Sequence, residues 1–285
     1  MRTICCGLVI VLGICSVLVA QEGHRFSMMD GGQLTLEKSD GNDLSGTFVR
    51  DGKLAHFRST TSREGQTFEL RDAKLQPILR VTARENTISI RLFGDGPVVT
   101  SSRDGKPSFN AETPGATEEA LARLLKTDAY VILPNLAIEL VHIGVVGDSD
   151  RLPAAQFVHG IAVASAAAQH IGMPALDYSD DRGVVQPASL IGKCTNLKKD
   201  PHSDSCYGMC GNSCTCWWPV CLTCCGCEGC QTHDYACRIT DCDATLTPAQ
   251  RAGYKAACYT FAAFFIPLAP CARYEDGKYH DPCRH

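Results

Sequence analysis

Apolar and polar residues alternate from about residue 23 to residue 101, which is the pattern of strands that bury one face. The clearest run is Thr87–Leu92, where the three aliphatic side chains share one side. Residues 48–57 surround Asp51-Gly52, a dipeptide that accepts the positive φ angles of a tight hairpin turn. Further runs lie at 67–70 and 78–81. The alternation predicts an antiparallel meander of about five or six strands, arranged as a small sheet or sandwich.

Helical spacing begins after residues 94–115, a segment rich in Gly, Pro and Ser that is typical of a linker or long loop. Thr117 is predicted to cap a helix whose first turn holds Glu118-Glu119, because acidic side chains complement the helix dipole. The apolar run 130–146, interrupted by Pro134, predicts a short helix or a strand. The alanine-rich run 153–170 predicts a closely packed helix.

Cysteine divides the chain into two parts. Three of the 18 cysteines lie in the first 20 residues, and the other 15 lie between Cys194 and Cys283. The odd number leaves one thiol of this C-terminal part outside intrachain pairs. We predict an α+β fold in four parts. These are a signal peptide (1–20), a β-rich domain (21–110), a helical region with a linker (111–190) and a cysteine-rich module (191–285).

The N-terminus has the layout of a secretory signal, in which Arg2 precedes the apolar run 4–20 and polar residues follow Ala20. Cleavage after Ala20 would deliver the protein to the periplasm or outside the cell, where disulfides persist. The alternative is an uncleaved membrane anchor, because the run approaches the roughly 18 apolar residues of a spanning helix. The net charge of -4 and the pI near 6.1 give no indication of nucleic-acid binding.

Cys230, His233, Asp234 and Cys237 are spaced so that they share one face of a helix. Disulfides through the two cysteines would hold such a helix rigidly. A neutral imidazole takes a proton from water, and an adjacent carboxylate holds a hard cation. The turn-rich loop 207–214 can supply the main-chain carbonyls that a cation needs beside one carboxylate. Together these residues indicate hydrolysis of an ester assisted by calcium.

The sequence Cys230-Gln231-Thr232-His233-Asp234, preceded by the loop 207–214, resembles the secreted phospholipase A2 superfamily. The resemblance covers roughly residues 194–283. It implies two antiparallel helices that are linked by disulfides and carry the His–Asp pair. It also implies a phospholipid or membrane surface as substrate, with Ca²⁺ as cofactor.

The resemblance also assigns roles to individual residues. His233 is implied as the general base and Asp234 as the calcium carboxylate. The backbone carbonyls of Met209, Gly211 and Ser213 are implied as further calcium ligands, and the amide of Gly211 is implied to face the oxyanion.

One element of the superfamily pattern is missing. The superfamily orients its histidine with an aspartate on the antiparallel helix, but the candidate helix at 248–265 contains no Asp or Glu. Tyr254 and Tyr259 on this helix, and Asp241 before it, are the candidate orienters. The loop before Cys210 is also one residue shorter than the usual pattern, and Ser213 replaces a typical glycine.

Three other interpretations fit the same cysteines. Cys221, Cys224, Cys227 and Cys230 recur at every third position, which approaches the cysteine run of bacterial ferredoxins. Pairs of the Cys-x-x-Cys type also suit zinc. The third interpretation is a non-catalytic, disulfide-rich binding or structural protein in which the His–Asp pair is incidental. Trp217 and Trp218 are predicted either to form the core of the module or to lie at a membrane interface.

Overall fold

A computed structural model of the chain describes residues 23–27, 31–84, 87–102, 108–145, 152–169, 236–237, 239–240 and 243–260. Its largest element is a nine-stranded antiparallel sheet in which the strands follow one another in sequence order. The strands are β1 (His24–Ser27), β2 (Gln33–Ser39), β3 (Asp43–Arg50), β4 (Lys53–Ser62), β5 (Gly65–Arg71), β6 (Pro77–Arg84), β7 (Thr87–Leu92), β8 (Val98–Ser102) and β9 (Ser108–Ala111).

The predicted hairpin and the predicted strand at 87–92 are both confirmed. Arg50 of β3 lies opposite Lys53 of β4, so Asp51 and Gly52 alone form the turn. Their φ angles are 50° and 72°, the left-handed values that this turn requires. In β7 the three aliphatic side chains are buried on one face. The alternation of the sequence therefore locates the inner face of the sheet.

The predictions for strand number and for the linker at 94–115 are wrong. The sheet has more strands than the predicted five or six, and this segment contains β8 and β9. Gly94, Gly96 and Pro97 lie in the β7–β8 turn, where Gly94 has a φ of 62°, and Pro114-Gly115 begins the first helix. Val99 and Phe109 point into the core from the two short strands. Strands of four or five residues carry too little alternation to stand out against turn residues.

Five helices are described: α1 (Pro114–Leu124), α2 (Asp128–Val131), α3 (Leu133–His142), α4 (Leu152–Ala168) and α5 (Pro248–Thr260). The predicted cap at Thr117 is wrong, because α1 begins at Pro114 with Thr113 as its N-cap. Proline suits a first helical position, since its missing N–H would have no partner there. Thr117 is buried one turn further on, and its hydroxyl donates to the carbonyl of Thr113 at 2.9 Å. Glu118-Glu119 therefore follows the first turn.

The apolar run at 130–146 contains the end of α2 and all of α3. Pro134 is the second residue of α3, where proline is tolerated. The predicted helix at 153–170 is confirmed as α4 within two residues at each end. Every side chain of α4 that the structure describes between residues 154 and 166 is buried, so this helix lies inside the core. No helix in the described ranges is long and apolar enough to cross a membrane.

One hydrophobic cluster joins the inner face of the sheet to the helices. It includes Ala252, Ala256 and Ala257 of α5, a helix that the sequence places in the cysteine-rich module. This helix packs mainly against β9, with α1 and α4 beside it. The opposite face of the sheet carries mainly polar side chains, most of them exposed or half-buried. The fold is therefore α+β, with helices covering one face of an antiparallel sheet.

Candidate functional site

Most of the predicted site lies outside the described residues. The roles assigned to eight residues therefore stay predictions. They are the catalytic base His233, the calcium carboxylate Asp234, the loop ligands Met209, Gly211 and Ser213, the tryptophans Trp217 and Trp218, and the acidic orienter Asp241. The structure does describe the two tyrosines that are candidate orienters, and it describes Cys237 at the end of the His–Asp motif.

A disulfide joins Cys237 to Cys258 of α5, with the Cα atoms 4.8 Å apart. Residues 236–237 and 239–240 are helical on the Cys237 side of this bond. Ala236 and Ile239 are buried in the same core as α5. Residues 236–237 and 239–240, a short distance after His233 and Asp234, are therefore fixed against α5 by a covalent bond and by apolar packing.

A capping box defines the start of α5. The backbone N–H of Gln250 donates to Oγ1 of Thr247 at 3.2 Å, and the backbone N–H of Thr247 donates to Oε1 of Gln250 at 3.0 Å. Arg251 then holds the preceding loop, because its guanidinium donates to the carbonyl of Asp243 at 2.9 Å and to that of Thr240. These contacts position the helix relative to the segment that follows the His–Asp motif.

The middle of α5 lies very close to β9. A Cβ placed on Gly253 would be 2.3 Å from the carbonyl oxygen of Phe109, so only glycine permits this approach. The ring of Tyr254 meets the ring of Phe109 edge to face, with 5.9 Å between centroids. Tyr254 is buried and lies one turn before Cys258 on the same side of the helix. Its ring is therefore part of the wall between the sheet and the disulfide.

A buried hydrogen-bond network fixes the end of α5. The hydroxyl of Tyr130 donates to the carbonyl of Tyr259 at 2.6 Å. The carbonyl of Tyr130 accepts from Oγ of Ser165 at 2.9 Å and from Nε2 of Gln169 at 3.3 Å. Burial raises the pKa of Tyr130 well above its usual value, so the hydroxyl stays a donor. The half-buried ring of Tyr259 has the ammonium of Lys255 5.9 Å from its centroid.

A row of charged residues crosses the outward face of the sheet, and it was missed in the sequence. Arg58, Glu69, Arg80 and Arg91 lie directly opposite one another across β4–β7. Arg80 pairs with Glu69 at 2.8 Å, and Arg71 pairs with the other oxygen of the same carboxylate. The signal is present in the sequence as even spacing at positions 58, 69, 80 and 91. It becomes visible only when the strand register is known.

A second carboxylate anchors the same row. Asp43 of β3 is buried and accepts from Nη2 of Arg58 at 3.0 Å and from Nζ of Lys38 at 2.9 Å. The hydrogen bond to Asp43 raises the pKa of Lys38, because the ammonium is favoured beside the carboxylate. Each of the two carboxylates is thus held by two cations.

Across the described ranges, no cluster of three or more His, Cys, Asp or Glu side chains could hold a metal ion. The zinc and iron–sulfur alternatives involve cysteines that lie outside these ranges. Comparison of the chain with protein-family models, with characterised proteins and with solved structures gave no match.

Proposed function

We propose that residues 191–285 catalyse calcium-dependent hydrolysis of ester bonds in glycerophospholipids. The observation that best supports this function is the disulfide between Cys237 and Cys258. It joins the segment that follows His233 and Asp234 to a helix. A His–Asp segment linked by a disulfide to a second helix is the arrangement that the resemblance to secreted phospholipase A2 implies.

In this proposal the imidazole of His233 takes a proton from water as that water attacks the ester carbonyl. The amide of Gly211 donates to the oxygen on which negative charge develops. A histidine is a more effective base when its second nitrogen donates to a partner that holds the ring in the correct tautomer and orientation. Tyr254 and Tyr259, on the helix that carries Cys258, are described residues whose hydroxyls are candidates for this partner, and Asp241 is the acidic alternative.

Asp234 and the carbonyls of Met209, Gly211 and Ser213 would hold the calcium ion. This donor set is entirely oxygen, which suits a hard cation and not zinc or copper. When bound, calcium supplies positive charge that polarises the ester carbonyl. The disulfide also supports export, because such bonds persist outside the cytosol.

The function is tested by fatty-acid release from phospholipid vesicles, measured for His233→Gln and for a matched control. We expect His233→Gln to lower release by at least about a hundredfold, since a positioned base contributes roughly that factor or more. The control is His24→Gln, which changes an exposed histidine at the edge of the sheet. Equal release by the wild type and His233→Gln would rule the proposal out.

A second function is supported by the composition of α5, which contains no Asp or Glu. Without an acid to orient His233, the module would be an exported binding or structural protein that does not turn over lipid. In that case calcium or lipid binds, but fatty acid is not released by any variant. Tyr254→Phe and Tyr259→Phe separate the two functions. If one of these hydroxyls orients His233 in an enzyme, its removal lowers kcat for lipid hydrolysis, whereas a binding protein has no kcat to lower.

A further inference from the structure

The outward face of the sheet is strongly basic in a chain that is acidic as a whole. Its positions on β4–β7 carry five arginines and one glutamate: Arg58, Arg71, Arg80, Arg84, Arg91 and Glu69. The formal net charge of the whole chain is -4. The excess of positive charge is therefore a local property of this face. It creates a field that attracts anions to one side of the molecule.

Arg80 and Arg91 are the unusual pair of this face. They lie directly opposite one another on β6 and β7, a placement that is unfavourable for like charges. Glu69 pairs with Arg80 and Arg71, but no carboxylate of a described residue pairs with Arg91. On the same face, two positions further along the two strands, Thr82 lies opposite Ser89. Two guanidinium groups and two hydroxyls thus project from adjacent positions, a donor set that suits phosphate oxygens.

An exposed apolar residue stands at the edge of this basic face. Leu75, in the β5–β6 turn, is 54% exposed and is the only exposed large apolar side chain in the described ranges. Its φ of 61° is a left-handed value that leucine rarely adopts. The amides of Lys74 and Gln76 donate to Asp72 at 2.8 and 2.9 Å, and these bonds hold the turn in this shape. The turn therefore presents an aliphatic side chain to solvent at a conformational cost.

We propose that this face docks on an anionic phospholipid surface, with Arg80 and Arg91 binding lipid phosphates and Leu75 entering the acyl region. The choice of lipid rests on the proposed function, whose substrate is a phospholipid. An acidic protein or a nucleic acid would also match the arginines, but neither would bury an aliphatic side chain beneath a layer of phosphates. Docking through this face would bring the chain to a surface of the substrate's chemical class, while α5 and the disulfide remain on the opposite face of the sheet.

The test is sedimentation of the full chain with vesicles of ether-linked lipids, which contain no ester bond to hydrolyse. One set contains equal amounts of phosphatidylglycerol and phosphatidylcholine, and the other contains phosphatidylcholine alone. We expect Arg80→Gln/Arg91→Gln to bind the anionic vesicles about 30-fold more weakly, roughly fivefold for each arginine. The control Arg63→Gln/Lys126→Gln loses the same charge from exposed positions outside this face, and should keep near-wild-type affinity.

A second variant tests the apolar contact. Leu75→Asn keeps a residue that tolerates positive φ but removes the aliphatic side chain. We expect it to bind about tenfold more weakly, since roughly that factor follows from partial burial of one leucine. Its affinity should depend on salt as steeply as that of the wild type, whereas the arginine variant should show a shallower dependence. Circular dichroism checks that both variants remain folded.

Three outcomes would overturn the docking proposal: equal loss in the two double variants, equal binding of both vesicle types, or capture of a DNA fragment or polyglutamate in place of vesicles. The result is independent of catalysis. Binding that depends on the arginines, without fatty-acid release from ester lipids, contradicts only the proposed function. Release with no effect of the arginines contradicts only the docking surface.

Discussion

His159 is a titratable residue at the centre of the core, in the helix α4 that packs between the sheet and α5. Burial removes the imidazolium from water and lowers its pKa from 6.5 to about 4. The unfolded chain therefore binds a proton that the folded chain does not between these two values. Burial of the neutral His159 ring therefore costs no protonation free energy above pH 6.5. As the pH falls from 6.5 towards 4, the free energy of unfolding decreases, because the unfolded chain gains a proton that the folded chain does not.

We expect the wild type to lose roughly 3 kcal/mol more stability than His159→Leu when the pH is lowered from 7 to 4. Each protein is compared with itself at the two pH values, so a constant effect of the substitution cancels. Urea unfolding at both pH values measures the difference. Parallel loss of stability in the two proteins would show that His159 does not titrate in this way.

Among the secondary-structure elements, the contact between α5 and β9 determines where the disulfide lies and where Tyr254 and Tyr259 lie. Gly253 permits this contact because its backbone meets the backbone of Phe109 without a Cβ between them. The aromatic pair of Tyr254 and Phe109 then extends the same interface. The position of α5 thus depends on one small residue as much as on its apolar side chains.

Gly253→Ala should destabilise the protein by about 1–3 kcal/mol, because the new methyl group must push α5 away from β9. Gly115→Ala is a matched control in α1, where a Cβ would meet nothing within 4 Å. There the same change should stabilise by about 0.4–1 kcal/mol, since alanine favours the helix. Urea unfolding of both variants gives the two values. A similar effect at both positions would contradict a close contact at Gly253.

The elements that the sequence predicts well are those with a strong local cause. The β3–β4 hairpin follows from Asp51-Gly52, and β7 follows from the alternation of its aliphatic residues. The strands β8 and β9 escape prediction because pairing with their neighbours, and not local composition, makes them strands. The start of α1 is misplaced for a different reason. The acidic pair after Thr117 favours the wrong threonine, whereas Pro114, which suits a first helical position, favours Thr113 as the cap.

For the whole molecule, the covalent link from Cys237 to Cys258 connects the cysteine-rich part to the core around the sheet. The sequence identifies the His–Asp motif and the cysteines beside it by spacing. It does not say which cysteines pair, because many pairings fit the same count. It also does not place α5 on β9, since the small residues Ala252, Gly253, Ala256 and Ala257 carry no information about their partner. The residues of the proposed site can thus be recognised in the sequence, but their position relative to the sheet cannot be predicted from it.

Cys237→Ala/Cys258→Ala should lower the free energy of unfolding by about 3 kcal/mol, because the bond closes a loop of 21 residues in the unfolded chain. If the proposed function is correct, fatty-acid release should fall with it, since the His233 segment loses its attachment to α5. Urea unfolding and lipid hydrolysis on the same preparation measure both effects. An unchanged unfolding midpoint would mean that this disulfide does not stabilise the fold.

We propose above that the cysteine-rich part hydrolyses phospholipid esters with the help of calcium. Fatty-acid release from phosphatidylglycerol vesicles, measured on the wild-type chain as calcium is removed with a chelator and then restored, tests it most directly. We expect release to stop when calcium is removed and to resume when calcium returns, while the fold is retained. Release that continues in excess chelator, or no release at any calcium concentration, would contradict it.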